Sequence, residues 1–119
     1  MNITVGSGGK EISWDYNGKT ISKSYSEILM GYEILPDNAG VLLLEPSSEV
    51  GPENAVIYDL VGSQRWRLPF PKDLGVGICF DRVGLSAGQL VVVGIVNGRD
   101  VKFEVDYNNL KYIDVAATR

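Results

Sequence analysis

Glutamates close together in one short segment are the most suggestive acidic residues of this chain. Glu45, Glu49 and Glu53 belong to the stretch E-P-S-S-E-V-G-P-E. Two carboxylates facing each other across about 5–10 Å can hydrolyse a glycosidic bond, and carboxylate oxygens can also bind calcium. The prolines, serines and glycine between these acids indicate a solvated loop, and the spacing of a calcium-binding loop is missing. The sequence therefore predicts neither catalytic acids nor metal ligands here.

Residues that usually supply nucleophiles or hold cofactors are scarce. The chain has no histidine and one cysteine, Cys79, which excludes a histidine-activated nucleophile and zinc ligation by histidine. Cys79 lies in the apolar run V-G-I-C-F, which predicts a buried core residue. The segment G-S-G-G-K at residues 6–10 differs from a phosphate-binding loop, because Glu11 follows its lysine and no helix is predicted after it. We expect no enzyme activity, cofactor or metal.

The triplet Gln64-Arg65-Trp66 raises the question of a ligand site. Its sequence is similar to the Gln-x-Trp motif of ricin-type sugar-binding repeats, in which the triplet itself packs in the core. A period of two places Trp66 on one face of a strand and the flanking Arg65 and Arg67 on the other. We expect Trp66 to anchor the core and Asp59 to form a cross-strand ion pair with one arginine. An acid at the position of Asp59 can instead accept hydrogen bonds from turn amides.

The chain has six tyrosines, too many for all of them to be buried in the core of so small a fold. Tyrosines and arginines are frequent anchors of protein interfaces. The candidate interaction residues are Arg65, Arg67, Tyr16, Tyr107 and Tyr112. We therefore expect a protein partner or self-association as a homodimer, with a carbohydrate ligand as the alternative.

Composition limits the other classes of partner. A chain of 119 residues with 45% hydrophobic and 22% charged residues suits a single globular domain, 1–119. The net charge is −4 and the basic residues are scattered, which argues against binding to nucleic acid. The longest apolar stretches are too short to span a bilayer, and the first ten residues lack the pattern of a signal peptide. A cytoplasmic protein without membrane contact is expected.

Apolar and polar residues alternate with a period of two along most of the chain. Val101, Phe103 and Val105, opposed by Lys102 and Glu104, show this alternation most cleanly. Turn residues such as Asn-Gly interrupt the alternation at short intervals, which is typical of an antiparallel all-β meander. Residues 22–34 are the one stretch where a short helix competes with a strand, and the strand is favoured.

Three segments share the pattern β-branched, any, aromatic, acidic, bulky. They are I-S-W-D-Y at residues 12–16, V-I-Y-D-L at residues 56–60 and V-K-F-E-V at residues 101–105. The pattern predicts three repeats of about 45 residues and about eleven strands, with the last repeat lacking its fourth strand. We expect a propeller-like arrangement of four-stranded sheets, with a β-trefoil, a barrel or a sandwich as alternatives.

The segment from Asn54 to Pro69 resembles the hairpin of PQQ-type quinoprotein propeller repeats, in which Asp-x-x-Gly joins one strand to a second strand carrying Trp. Residues 90–111 are similar to the strand and Glu-Val-Asp hairpin of the same repeats, although Asn108 and Asn109 replace the usual Thr-Gly. The resemblance covers about residues 40–119 and extends to small uncharacterised bacterial proteins. Its motifs imply hairpins of a β-sheet and no catalytic or cofactor-binding residues. A non-enzymatic bacterial interaction module, for example one that neutralises a toxin, is the function expected.

Overall fold

The computed structural model describes residues 1–117, and it contains eleven strands in three antiparallel sheets over this range. Sheet A has the order β1-β2-β3, with strands Ile3–Val5, Glu11–Tyr16 and Lys19–Ser24. Sheet B has the order β4-β5-β6-β7, with strands Gly31–Ile34, Val41–Leu44, Ala55–Tyr58 and Gln64–Arg67. Sheet C reads β11-β10-β9-β8, and its strands from β8 onward are Gly77–Ser86, Gln89–Val96, Arg99–Asp106 and Lys111–Ala117. The predicted all-β class and the number of strands are confirmed.

Helical structure is limited to short connections among the described residues. Single 3-10 turns occupy Ser7–Gly9, Pro36–Asn38 and Lys72–Leu74, and the one-turn helix α1 covers Ser47–Val50. Residues 22–34 hold the end of β3, an irregular connection at residues 25–30, and β4, so the strand prediction is confirmed at both ends of this stretch and is wrong in its middle. None of the helices in residues 1–117 has the length and apolar character needed to cross a membrane.

Tight turns with positive φ connect neighbouring strands. In the turn Asn17-Gly18 the φ angles are 51° and 77°, and in the turn Asn97-Gly98 they are 51° and 76°. Two-residue hairpin turns of this type require positive φ at both residues. Ala87 has φ 49° before Gly88 at 79°, although alanine lacks the side-chain amide that stabilises asparagine in this region. The asparagine turns follow from sequence, whereas the alanine turn carries no comparable signal.

Two strands lie between the predicted repeats, and each of them pairs with the sheet that follows it in the chain. Strand β4 pairs with β5, and β8 pairs with β9. The prediction that the last repeat lacks a fourth strand is therefore wrong, because sheet A has three strands and sheet C has four. For β8 the reason is the two-residue turn to β9, which forces antiparallel pairing, while nine residues separate β7 from β8.

Sheet B is the middle layer, and its two central strands are buried on both faces. Every residue of β5 and β6 is buried. We call the contact between sheets A and B the A–B core, formed by Ile12, Trp14, Val41, Leu43, Val56 and Tyr58. The B–C core includes Leu42, Leu44, Ile57, Phe80, Leu90, Val92 and Phe103. Alternate residues of one strand thus enter different cores, since successive side chains point to opposite faces.

The recurring five-residue pattern is buried in each sheet but does not face the same way. Ile12 and Trp14 of sheet A pack against Val56 and Tyr58 of sheet B, so that these two copies face each other. Phe103 of the third copy faces sheet B. Sheet A therefore presents the pattern to the sheet that follows it, whereas sheets B and C present it to the sheet that precedes them.

Candidate interaction site

Asp59 caps a turn and does not pair with an arginine. Its Oδ1 accepts hydrogen bonds from the backbone N–H groups of Val61, at 3.1 Å, and Ser63, at 2.8 Å. The ion pairs among the described residues involve other acids. The predicted ion pair is therefore wrong and the alternative of turn-amide capping is confirmed for Asp59, because its short side chain reaches amides two and four residues onward.

Arg67 pairs with Glu45, a residue that the sequence places in a solvated loop. That placement is wrong for Glu45, which is 3% exposed. Its carboxylate accepts hydrogen bonds from Tyr25 Oη at 2.5 Å, Tyr58 Oη at 2.7 Å and Arg67 Nη2 at 2.9 Å. A buried carboxylate is tolerated only when it is paired and hydrogen-bonded, and these donors from β7, from β6 and from the residue that follows β3 meet that condition.

The phenols beside Glu45 hold their protons to high pH. Burial, followed by the hydrogen bond to Glu45, raises the pKa of Tyr58 from 10.0 to about 12. The same causes raise the pKa of Tyr25 even further. Both phenols therefore act as donors to the carboxylate near neutral pH, which makes the cluster a structural connection between sheets A and B.

Asn54 connects sheet B to sheet C, because its side chain bonds both backbone groups of one residue of β8, as a paired strand would. It is fully buried, and its Oδ1 accepts a 2.7 Å hydrogen bond from Phe80 N–H. Its Nδ2 donates to Phe80 O at 2.8 Å and to Glu45 O at 2.9 Å. The carboxamide thus satisfies both backbone groups of Phe80, a residue of the edge strand β8.

A groove of about 450 Å³ lies beside this region, between α1 and the start of β8. Its lining includes Val50, Glu53, Arg67, Phe70 and Lys72. The Arg67 donors are directed at Glu45 and at Glu53 O, and Glu53 Oε2 accepts from Phe70 N–H. The lining carries both signs of charge and its main donors are already paired, so the groove lacks a convergent set of groups for binding an ion or activating a substrate.

Aromatic residues and one arginine meet where side chains of the edge strand β7 contact the edge strand β11 and the turn that precedes it. We call this surface the β7–β11 seam, formed by Arg65, Trp66, Tyr107 and Tyr112. The Trp66 and Tyr112 rings are 5.2 Å apart. Tyr112 Oη donates to Pro69 O at 2.6 Å, and Arg65 Nη1 donates to Tyr107 O at 3.1 Å. Burial raises the pKa of Tyr112, so its phenol remains a donor.

The seam brings together three of the five predicted interaction residues and leaves the other two elsewhere. Arg65, Tyr107 and Tyr112 belong to it, Arg67 belongs to the Glu45 cluster, and Tyr16 packs beside the A–B core. A β-bulge separates the arginines: Trp66 pairs with Ile57 and Gln64 pairs with Tyr58, which leaves Arg65 without an opposite residue. The predicted common face for Arg65 and Arg67 therefore does not occur, because the bulge interrupts the period of two.

Sequence reasoning missed two members of this region. Trp66, predicted as a core anchor, packs against the B–C core but remains half-buried. Ile113 is 56% exposed beside Tyr112 because a second bulge, between Glu104 and Val105, shifts the register of β11. The hydrophobic pattern gives no signal for either bulge, so their effect on exposure requires the structure.

The fold and this surface define an all-β protein of three antiparallel sheets with a half-exposed aromatic seam. Among residues 1–117, no group of three or more acidic or cysteine side chains is placed to hold a metal ion. Comparison with protein-family models, curated proteins and solved structures gave no match. The resemblance to quinoprotein-type repeats therefore stays a prediction.

Proposed function

We propose that this protein is a non-enzymatic protein-interaction module that binds a partner through the β7–β11 seam. The observation that carries the proposal is the seam itself, where Trp66, Tyr107, Tyr112 and Arg65 lie together and are each half-buried. Tryptophan, tyrosine and arginine are the residue types most enriched among the energetically dominant residues of interfaces.

Tyr112 of the seam is held in place by contacts within the protein itself. Tyr112 is held by Pro69 O and by rings on both sides, Trp66 at 5.2 Å and Phe103 at 5.0 Å. A side chain that is already immobilised loses little conformational entropy on binding. Strands β7 and β11 are edges of their sheets, so their free backbone groups lie beside these anchors and can pair with an extended segment.

Carbohydrate binding is the alternative, and the tryptophans support it less well. Trp14 is 2% exposed and its Nε1 donates to Leu60 O at 2.9 Å, which places it inside the molecule. Trp66 is partly exposed but contacts Tyr112 and the B–C core. A sugar platform needs an open ring face, whereas a protein partner can use the edge of a half-buried ring.

The partner we favour is a basic protein, for example a toxin that this bacterial protein neutralises in the cytoplasm. The net charge of −4 supports this choice, because an acidic binder attracts a basic partner during diffusional encounter. Neutralisation by occlusion requires a stable surface and no catalytic groups of its own. The buried Glu45 cluster and the Asn54 connection supply such stability between the sheets.

We further propose that the sheets follow one another in a propeller-like arc rather than a closed ring. Consecutive sheets pack face to face in chain order, as the blades of a propeller do. The outward residues of sheet A, such as Glu11, Ser13 and Asp15, are polar. A closed ring would have to bury this polar face, which is costly without hydrogen-bond partners.

Affinity capture from the native cell with mass-spectrometric identification tests the proposed function. The Arg65→Glu variant removes the Arg65–Tyr107 hydrogen bond and reverses a charge in the seam. Arg99→Glu makes the same charge change at an exposed position at the start of β10 and serves as the matched control. We expect the wild type and Arg99→Glu to capture one common basic protein that Arg65→Glu fails to retain, because only Arg65→Glu removes the hydrogen bond that holds Tyr107 in the seam. Arg99→Glu makes the same change in net charge, so the change in charge by itself is not expected to weaken capture.

Equal capture by both variants would refute the role of the seam. Binding of the wild type to a glycan array, with no protein captured, would favour the carbohydrate alternative. Circular dichroism of each variant confirms that the sheets are intact before capture is compared.

A further inference from the structure

The two outer faces of the molecule differ in character. The outward face of sheet A is built from hydroxyl and acidic residues: Thr4, Glu11, Ser13, Asp15, Thr20, Ser22 and Ser24. The outward face of sheet C instead carries Val91, Val93 and Ile95 along β9, all half-buried. Their neighbours Leu90, Val92 and Val96 point into the B–C core, which fixes the outward direction of the three.

This apolar stripe departs from the rule for a sheet with one covered face. Such a sheet normally alternates apolar and polar residues along each strand. Strand β10 follows the rule, with Lys102 and Glu104 outward and Val101 and Phe103 inward. Strand β9 has the continuous apolar composition of β5 and β6, whose faces are both covered. The sequence of β9 is therefore that of a strand covered on both sides.

The outward face of sheet C is organised in two adjacent rows across the strands. One row contains Arg82, Val93, Lys102 and Ala116, which pair in register. The next row contains Gly84, Val91, Glu104 and Asp114. The central residues of the two rows are both valines, and their neighbours on β10 have opposite charges.

We propose that a second copy of this chain covers the face, with a two-fold axis running across the strands between these two rows. The axis exchanges the rows, so Val93 of one copy lies on Val91 of the other. Lys102 of each copy then lies opposite Glu104 of its partner, which gives two equivalent charge contacts. Isologous contacts of this kind require a self-complementary surface, and the alternation of charge between the rows provides it.

The shape of the face fits the same axis. The Arg82–Asp100 ion pair, at 2.5 Å, joins two exposed side chains toward one end of the face. Gly84 and Ser86 lie toward the other end, and no neighbouring atom comes within 4 Å of a Cβ built at Gly84. The two-fold axis places the end with the bulky ion pair of one copy over the end with the small residues of the other, so the two ion pairs do not meet.

The area suits a weak dimer. Strands about 4.8 Å apart with a rise of about 3.3 Å per residue give this four-stranded face dimensions of roughly 20 by 25 Å. Packing two copies would bury roughly 1,000–1,200 Å² in total, the low end for specific interfaces. We therefore expect a dissociation constant of about 1–100 μM. This surface is separate from the β7–β11 seam, and the dimer goes beyond the proposed function.

Sedimentation equilibrium of the full chain from about 1 to 300 μM measures this association directly. Val93→Lys places a charge in the middle of the stripe and is expected to leave a monomer over the whole range. Lys102→Glu and Glu104→Lys each create two like-charge contacts and are expected to weaken the dimer at least about fivefold. The double exchange of these two residues restores opposite charges and is expected to return the constant to within about twofold of wild type. Ser13→Lys on the outer face of sheet A is the matched control for Val93→Lys and leaves the dimer intact.

Three results would overturn the proposal: a wild type that stays monomeric to the highest concentration, a dimer that survives Val93→Lys, or a folded double exchange that does not recover. If Val93→Lys fails to fold by circular dichroism, the exposed charge variants decide the question. The Arg65→Glu variant is expected to dimerise normally, so that loss of partner capture and loss of the dimer are distinguishable.

Discussion

Replacement of Asn54 by alanine tests whether one side chain holds sheets B and C together. The carboxamide of Asn54 makes three hydrogen bonds of 2.7–2.9 Å to backbone groups of Phe80 and Glu45, and the residue has no exposed surface. Alanine keeps the backbone and removes all three partners. The variant therefore leaves one N–H and two C=O groups unpaired inside the protein.

The cost follows from the number of orphaned groups. Each buried polar group that loses its partner costs about 1–3 kcal/mol. A water molecule entering the space of the lost carboxamide would recover part of this cost, which leaves about 3–4 kcal/mol in total. A domain of this size has about 5–15 kcal/mol of stability, and each kcal/mol corresponds to about 4 °C in Tm. We expect the Tm of Asn54→Ala to fall by roughly 12–16 °C.

Differential scanning calorimetry and urea denaturation provide the measurement. Asn108→Ala, at an exposed turn position, is the matched control and is expected to change stability by less than about 0.5 kcal/mol. Asn54→Asp keeps the shape but directs a carboxylate oxygen at two carbonyls, so it is expected to be destabilised as well. A Tm for Asn54→Ala within about 3 °C of wild type would show that the connection contributes little.

Three further predictions concern the phenols, a core glycine and a turn. Tyr58→Phe removes the donor to Glu45 and is expected to cost about 1.5–3 kcal/mol in urea denaturation at pH 7. The pKa of Tyr58 is raised to about 12 in the folded protein, so the unfolded chain loses this proton first as the pH rises above about 10. The contribution of Tyr58 to the free energy of unfolding is therefore fully present below about pH 10 and is lost between about pH 10 and 12. This loss should be absent from the pH profile of Tyr58→Phe. Gly94→Ala places a Cβ 2.8 Å from Phe70 and is expected to destabilise by about 1–3 kcal/mol, with a lower Tm as the readout. Ala87→Gly relieves the positive φ of 49° and is expected to raise stability by up to about 1 kcal/mol, and a lowered Tm would contradict this account of the turn.

Much of the candidate site depends on connections that periodicity cannot show. The aromatic and arginine composition of the β7–β11 seam is visible in the sequence, but Trp66 and Tyr112 are far apart along the chain. Their contact at 5.2 Å joins β7 and β11, which are edge strands of different sheets, and it depends on how sheets B and C pack together. Two bulges then decide which residues face outward, and Arg65 and Ile113 owe their positions to them. A bulge changes the face of every later residue while leaving the pattern of residue types unaltered.

Glu45 shows the same limitation for a buried charge. Its neighbours in the sequence are prolines, serines and further acids, all typical of a solvated loop. Its burial depends on three donors from other parts of the chain, namely Tyr25, Tyr58 and Arg67. The cost of burying this carboxylate is thus offset by hydrogen bonds that only the tertiary structure provides.

The sequence by itself determined the strands, because alternation and turn chemistry act over neighbouring residues. Strands β2, β6 and β10, which carry the three motif copies, and the Asn-Gly turns lie where these local rules put them, although β6 ends at Tyr58, within its motif. Only the tertiary structure decided which strands share a sheet and which faces meet. Strands β4 and β8 joined the following sheets, and sheet B became the layer covered on both sides. Pairing and burial are decided by groups distant in sequence that compete for the same apolar surface and hydrogen bonds.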